Sequence, residues 1–142
     1  MGAASLDRVD IVDAARAWLG TPYVPAAQCC GVGADCLGFV LGLWRGLGGP
    51  CLEPAYPAGW GERGQAEHLA EGLGALLAPR SDAAPGAVVV IRLREDRPAQ
   101  HAGLIGMRGA DVSLIHAYSG RGVVETRFAP WRRRAVAFFD FP

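Results

Sequence analysis

The chain of 142 residues has no long hydrophobic run; Ala87–Ile91, five residues, is as long as any, against the ~18–20 that a membrane-spanning helix needs. Membrane insertion is therefore not expected. The opening MGAASLDRVD has no hydrophobic stretch behind a basic start and does not read as a signal peptide, so synthesis and folding in a bacterial cytoplasm are expected. Charge of one sign is missing too: fourteen Lys+Arg balance fourteen Asp+Glu, which removes nucleic acid and anionic surfaces as default partners. The four cysteines, Cys29, Cys30, Cys36 and Cys51, contain no Cys-x-x-Cys pair, so neither a structural zinc nor any other metal is expected. In a reducing compartment they are not expected to form a disulfide framework either. Repeats and low-complexity segments are absent, and only three histidines are present.

What is there is enough for one folded unit. Apolar residues make up 51% and charged residues 20%, a composition that excludes disorder. The length suits one domain over residues 1–142. Between Asp7 and Leu19, Ile11, Ala14, Ala15 and Trp18 fall on one helical stripe, closed by Gly20 and Pro22. The segment TPYVPAAQCCGVGA reads as a loop. A second helix is predicted from Asp35, with Leu37, Val40, Leu43, Trp44 and Leu47 facing inward, ending at Gly48-Gly49. Pro50 to Gly64 is another irregular stretch, and a third helix is predicted from Gln65 to Leu77, with Ala66, Leu69, Ala70, Leu73 and Leu76 on its stripe. Strands are predicted at Ala87–Leu93, His101–Met107, Val112–Tyr118, Gly122–Glu125 and Ala135–Phe139. Helices first and strands second, without alternation, predict an α+β domain with an antiparallel sheet.

The sharpest local signal is Gly33-Ala34-Asp35-Cys36-Leu37-Gly38-Phe39-Val40. Asp35 is a good N-cap and places Cys36 in the first turn of the second helix. There, free backbone N–H groups and the helix dipole favour a thiolate, and fast alkylation of Cys36 alone near pH 6 is expected. Gly38 leaves room for a second backbone or a ligand. The alternative is that Cys36 is a small buried hydrophobe. His68, beside Glu67 and Glu71, reads as a solvated surface residue. His101 and His116 lie on consecutive predicted strands. A two-residue turn at Arg108-Gly109 sets them directly opposite; widening the loop by two residues leaves them diagonal on the same face, and a one-residue slip separates them. A helix-start cysteine with two converging histidines has the makings of nucleophile, base and orienting residue.

Taken together, Trp18-Leu19-Gly20-Thr21-Pro22-Tyr23, GADCLGFV, Gln100-His101-Ala102-Gly103-Leu104-Ile105 and Ile115-His116-Ala117 resemble the NlpC/P60 cysteine peptidases. The segments DCLGFVLGLWRGLGG, IHAYSGRGVVE and APWRRRAVAFFDFP resemble the branch found in phage tails and gene transfer agents. The resemblance implies a papain-like α+β core, its nucleophile at a helix start packed on an antiparallel sheet, that cleaves peptide bonds in peptidoglycan stem peptides without a cofactor. It matches Cys36 to the nucleophile, His101 to the general base and His116 to the residue orienting that base. It also matches Tyr23 to the tyrosine that helps hold substrate or oxyanion, and Asp35 to the acid that meets the stem-peptide amine. Leu37 stands where the family commonly has a serine that helps bind that amine, which leaves the bond cut open. The family's Pro-Gly-Asp before the first strand is Pro85-Gly86-Ala87 here.

A tail-borne wall peptidase would have tail-tip or baseplate proteins as partners, travel in a phage-like particle and act in the periplasm of the target cell. The competing readings are a structural tail-tip component that keeps the fold, and a thiol amidase or acyltransferase. Cys29, Cys30 and Cys51 are expected in packing or exposed-loop roles. Arg132–Arg134 are expected at a solvated strand edge, with contact to an anionic wall polymer or a neighbouring tail protein as the alternative. The aromatic C-terminus is expected to dock on the body.

Overall fold

The computed structural model describes residues 7–51, 68–96 and 99–142. In chain order its elements are α1 (Arg8–Arg16), β1 (Gln28–Cys29), β2 (Gly33–Ala34), α2 (Cys36–Gly46), α3 (His68–Leu76), β3 (Ala78–Arg80), β4 (Val88–Ile91), β5 (His101–Arg108), β6 (Asp111–Tyr118), β7 (Gly122–Arg127), a 3-10 turn (Ala129–Arg134) and β8 (Ala135–Asp140). The six larger strands form one antiparallel sheet in the order β3-β8-β4-β5-β6-β7, and β1 and β2 form a small hairpin of their own. This is the α+β architecture that the order of periodicities predicts.

The helices begin where their caps say they should. Asp7 accepts from the Val9 N–H and starts α1; Asp35 accepts from the Gly38 N–H and starts α2 one residue before Cys36, each satisfying a backbone donor that the first turn leaves free. Ile11, Ala15 and Trp18 of the predicted first stripe are buried, together with Val12, while Ala14 is half-buried. On the second stripe Val40, Leu43 and Trp44 are buried, and Leu37 and Leu47 pack half-buried against the same core. On the third, Leu69 and Leu73 are buried and Ala70 and Leu76 half-buried, with Leu77 buried just past the helix end. The predicted start of that helix at 65–67 and the side chain of His68 lie outside the described residues, as does most of the stretch from Pro50 to Gly64.

Alternation along the strands divides the sheet into two faces. Val88, Val90, Ala102, Leu104, Ile115, Ala117 and Val123 face the helices, with Phe139 and Phe141 from the C-terminus. Ala87, Val89, Ile91, Ile105, Leu114 and Phe128 form a second cluster on the other face, against which Trp131 and Phe138 pack. Phe141 stacks on Trp44 at 5.7 Å, so the aromatic C-terminus docks as expected.

Two elements went unseen in the sequence. The strand β3 contains Pro79, which cannot donate to a ladder, and it lies at the sheet's edge, paired only with β8. The hairpin β1–β2 is too short for a two-residue period to show.

Gly38 is what lets this hairpin region close on α2. A Cβ there would lie 1.8 Å from the Ala27 carbonyl oxygen, whereas one at Gly46, at the far end of the helix, would meet nothing within 4 Å. Close approach of a backbone is thus the reason for Gly38. Gly38→Ala should destabilise the fold by about 2 kcal/mol or more through forced displacement of the loop. Gly46→Ala should leave it unchanged or add up to about 1 kcal/mol. Urea unfolding of the two variants makes the comparison, and equal effects would remove the steric account.

Candidate active site

Cys36 is the first residue of α2 and is buried at 9% exposure. Its S–H donates to the Gln100 carbonyl oxygen at 3.6 Å, while the Ala102, Leu37 and Cys36 backbone N–H groups point at the sulfur. The sulfur therefore engages the peptide groups on both sides of His101, at the start of β5. Both imidazoles are buried, His101 at 5% and His116 at 1%.

The two rings meet through His101 Nε2 and His116 Nδ1, 2.7 Å apart. The turn is two residues long, as predicted, but lies one residue further on, at Gly109-Ala110 with Gly109 at φ +62°: Arg108 pairs with Asp111 and Leu104 with Ile115, which gives the diagonal one of the two same-face arrangements. The histidines are consequently diagonal, a separation that long side chains span. Gly103 makes room for them, because a Cβ there would lie 3.0 Å from the His116 Cβ and 3.0 Å from the Ile115 carbonyl oxygen. The far nitrogen of His116, Nε2, meets Thr126 Oγ1 at 3.2 Å. Tyr118 and Trp131 wall the pair, with ring centroids 5.9 and 6.0 Å from His101 and 5.6 and 5.4 Å from His116.

This chain of contacts admits two proton arrangements. If His101 Nε2–H donates to His116 Nδ1, and His116 Nε2–H donates to Thr126 Oγ1, then His101 Nδ1 keeps its lone pair. It has no hydrogen-bond partner among the described residues. The reverse arrangement would put a proton on Nδ1 and leave His101 no basic nitrogen. Thr126 escaped notice because the predicted strand stopped at Glu125, one residue short of it; β7 runs to Arg127.

Tyr23 forms an isolated parallel bridge with Ala34, which brings it to the start of α2. Burial, with Cys36 and then Asp35 nearby, pushes its hydroxyl pKa up. Asp35 has both carboxylate oxygens engaged: Oδ1 accepts from the Gly38 N–H at 2.6 Å and Oδ2 from the Ala26 N–H at 2.8 Å. The second bond holds Ala26, the only non-glycine at positive φ (63°) among the described residues. Leu37 packs half-buried on the core. Cys29, Cys30 and Cys51 are exposed free thiols, and among the described residues no group of acidic, cysteine and histidine side chains is placed to hold a metal.

The electrostatics overturn one expectation. The helix start was expected to hold Cys36 as a thiolate; instead burial, reinforced by Asp35, pushes its thiol up to about 11 despite the three N–H groups. Burial, with His116 alongside, pushes His101 down to about 3, and burial pushes His116 down to about 4. At rest the site is neutral, because desolvation outweighs the dipole of one helix turn.

No protein-family model and no curated protein matches the chain. Solved structures do. The NlpC2 structure from Trichomonas vaginalis superposes with a TM-score of 0.69 at 17% identity, over 99% of this chain and 48% of that one. The NlpC/p60 domain of the peptidoglycan hydrolase SagA does so with 0.61 at 17%, over 96% of this chain and 100% of the other. An NlpC/P60 family protein from Bacillus cereus does so with 0.63 at 15%, over 97% and 41%. The chain thus spans about half the length of the NlpC2 protein and the whole of the SagA domain. The fold is a mixed helical and antiparallel one of papain-like type. It is the NlpC/P60 fold.

Two outcomes follow from the buried neutral state. Iodoacetamide near pH 7 should modify the exposed Cys29, Cys30 and Cys51 before Cys36, as peptide mapping over time would reveal; Cys36 reacting first would mean the sulfur is ionised. The imidazoles also give stability a pH slope. Unfolded histidine titrates near ~6.5 but the folded pair only near about 3 and about 4, so between these values the unfolded chain binds more protons. Stability should be full above pH ~6.5 and fall on acidification by up to about 1.4 kcal/mol per pH unit per imidazole. Thermal unfolding from pH 7 to 4.5 should show a steeper loss in the wild type than in the His101→Gln/His116→Gln double variant.

Proposed function

We propose that the protein is a cysteine peptidase that hydrolyses an amide bond in peptidoglycan stem peptides. The observation that carries the reading is the continuous chain Thr126–His116–His101, ending in an unpartnered Nδ1 on the residue whose flanking peptides hold the Cys36 sulfur. The NlpC/P60 fold and the motif resemblance support the class of substrate.

In this mechanism Cys36 leaves the Gln100 carbonyl and gives its proton to His101 Nδ1 as the sulfur attacks the substrate carbonyl carbon, making proton transfer part of the attack. His116, anchored on Thr126, holds the His101 ring and shares the charge that develops. The backbone N–H of Cys36, with the Tyr23 hydroxyl, stabilises the oxyanion; one such donor is worth ~10²–10³ in rate. The C–N bond breaks as His101 Nδ1 returns its proton to the leaving amine. Water then attacks the thioester and restores the thiol. Asp35 caps α2 and presents its carboxylate to the substrate amine, and Leu37 gives that subsite an apolar wall in place of a hydroxyl.

The finer reading is that a phage-like or gene transfer agent tail carries the enzyme, packed in the bacterial cytoplasm beside tail-tip or baseplate proteins, to open the wall in the target cell's periplasm. The likeness of DCLGFVLGLWRGLGG and APWRRRAVAFFDFP to that branch supports it.

Defined muropeptides of several stem chemistries, incubated with the protein and read by mass, test the activity. Wild type should release cleaved peptides, and Cys36→Ala or His101→Ala should lower kcat/KM at least ~10³-fold. Digestion that persists in Cys36→Ala would defeat the reading. Because both partners start neutral, kcat/KM should be nearly flat from about pH 5 to 9, with no acid limb near 6; a preformed ion pair would give a bell.

A further inference from the structure

Behind His116 lies a pocket of about 370 Å³ lined by His116, Tyr118, Arg121, Val124, Thr126, Arg127, Pro130 and Trp131. Its size is at the lower end of small-molecule sites. Val124, Pro130 and Trp131 give it apolar walls, suited to a short aliphatic chain. Two guanidinium groups border it, and neither Arg121 nor Arg127 has an ion-pair or hydrogen-bond partner among the described residues. Their surroundings explain why. Glu125, the acid between the pocket strand's side chains, is turned to Arg16 at 3.0 Å and to Ser113 at 2.7 Å. Among the described residues no acid lines the pocket. Thr126, whose hydroxyl is the far end of the histidine chain, is among its lining residues.

We propose that this pocket binds a carboxylate on a short aliphatic chain, held by Arg121 and Arg127, and that the bound carboxylate sets the direction of the Thr126–His116–His101 hydrogen bonds. Guanidinium is the donor that matches carboxylate geometry. A carboxylate accepting the Thr126 O–H leaves the Thr126 oxygen as acceptor for His116 Nε2–H. His116 Nδ1 must then accept from His101 Nε2–H, and His101 Nδ1 becomes the basic nitrogen. The anion also lowers the cost of charging two desolvated imidazoles. This second half rests on the peptidase reading; the binding does not. The carboxylate is a group of the stem peptide itself or a separate small acid, since both present the same chemistry.

Glutarate and its neutral diamide, glutaramide, titrated into the full chain carrying Cys36→Ala, test both halves by ¹⁵N-histidine and indole NMR. Glutarate should shift the Trp131 indole and His116 signals saturably, with the ring nitrogens moving toward Nε2–H on both histidines, and glutaramide should not. Arg121→Gln/Arg127→Gln should weaken glutarate at least about tenfold, the loss expected for charge-assisted bonds. Thr126→Val should still bind but abolish the tautomer shift. Equal response to glutaramide, retained affinity in the arginine variant, or no response overturns the pocket; binding without a tautomer shift overturns the switch. On peptides, the wild type should prefer the free acid to the amide, and the arginine variant should lose that preference. Rescue of the amide peptide by added glutarate assigns the group to a separate acid; failure of rescue assigns it to the peptide. Glutarate binding in a protein that cleaves no peptide would refute the peptidase and leave the pocket standing.

Discussion

Burial of three titratable side chains in one seam governs the rest of this molecule. Removing Cys36, His101 and His116 from water keeps the thiol and both rings neutral, and a neutral imidazole pair can hydrogen-bond end to end only if each nitrogen has a defined role. The 2.7 Å contact between the rings is therefore more than a contact between neighbours. In the proposed switch it links the direction of the Thr126 hydrogen bond, on the pocket side, to the presence or absence of a lone pair on His101 Nδ1. Charge would blur that choice, and burial suppresses charge.

Backbone devices keep the seam dry and in place. Asp35 uses one oxygen to start α2 and the other to hold Ala26, tying the loop before the sulfur to the helix that bears it. Gly38 lets that loop lie against the helix, and Gly103 leaves space for the His116 Cβ and the Ile115 carbonyl. Each is small because something else must be close. Asp35 also illustrates a conflict: it organises the helix start while its charge opposes ionisation of the thiol next to it.

Much of this was legible in the sequence, and the boundary of legibility has physical causes. Helix stripes, caps and the order of helices before strands were readable because amphipathic periodicity and capping are local. The shared face of His101 and His116 was readable because parity along a strand survives a two-residue register change, although which of the two registers forms was not. The edge strand β3 was hidden by Pro79, whose exclusion from sheets applies only to positions that must donate. Thr126 was hidden by a boundary one residue short, and Trp131, legible only as part of an aromatic C-terminal segment, walls the imidazoles. The ionisation state was misread for a different reason. A helix-start dipole can be inferred from eight residues, but desolvation depends on everything packed around the sulfur, including strands more than sixty residues away.

The neutral resting state also bears on specificity. A preformed thiolate reacts with any accessible electrophile, whereas in the proposed reaction a thiol at about 11 and an imidazole at about 3 need the base oriented and the developing charge stabilised before attack. Groups that arrive with the substrate can supply this, since Tyr23 and the α2 N–H groups face the sulfur on one side and the arginine-bordered pocket adjoins His116 on the other. In the proposed peptidase, discrimination among peptides then resides in how well a ligand completes the electrostatics, as well as in how well it fits. Leu37 is consistent with this division. In the proposed reading, with no hydroxyl at that position to grip an amine, recognition shifts toward the Asp35 carboxylate on one side and, on the other, the two guanidinium groups that have no partner among the described residues.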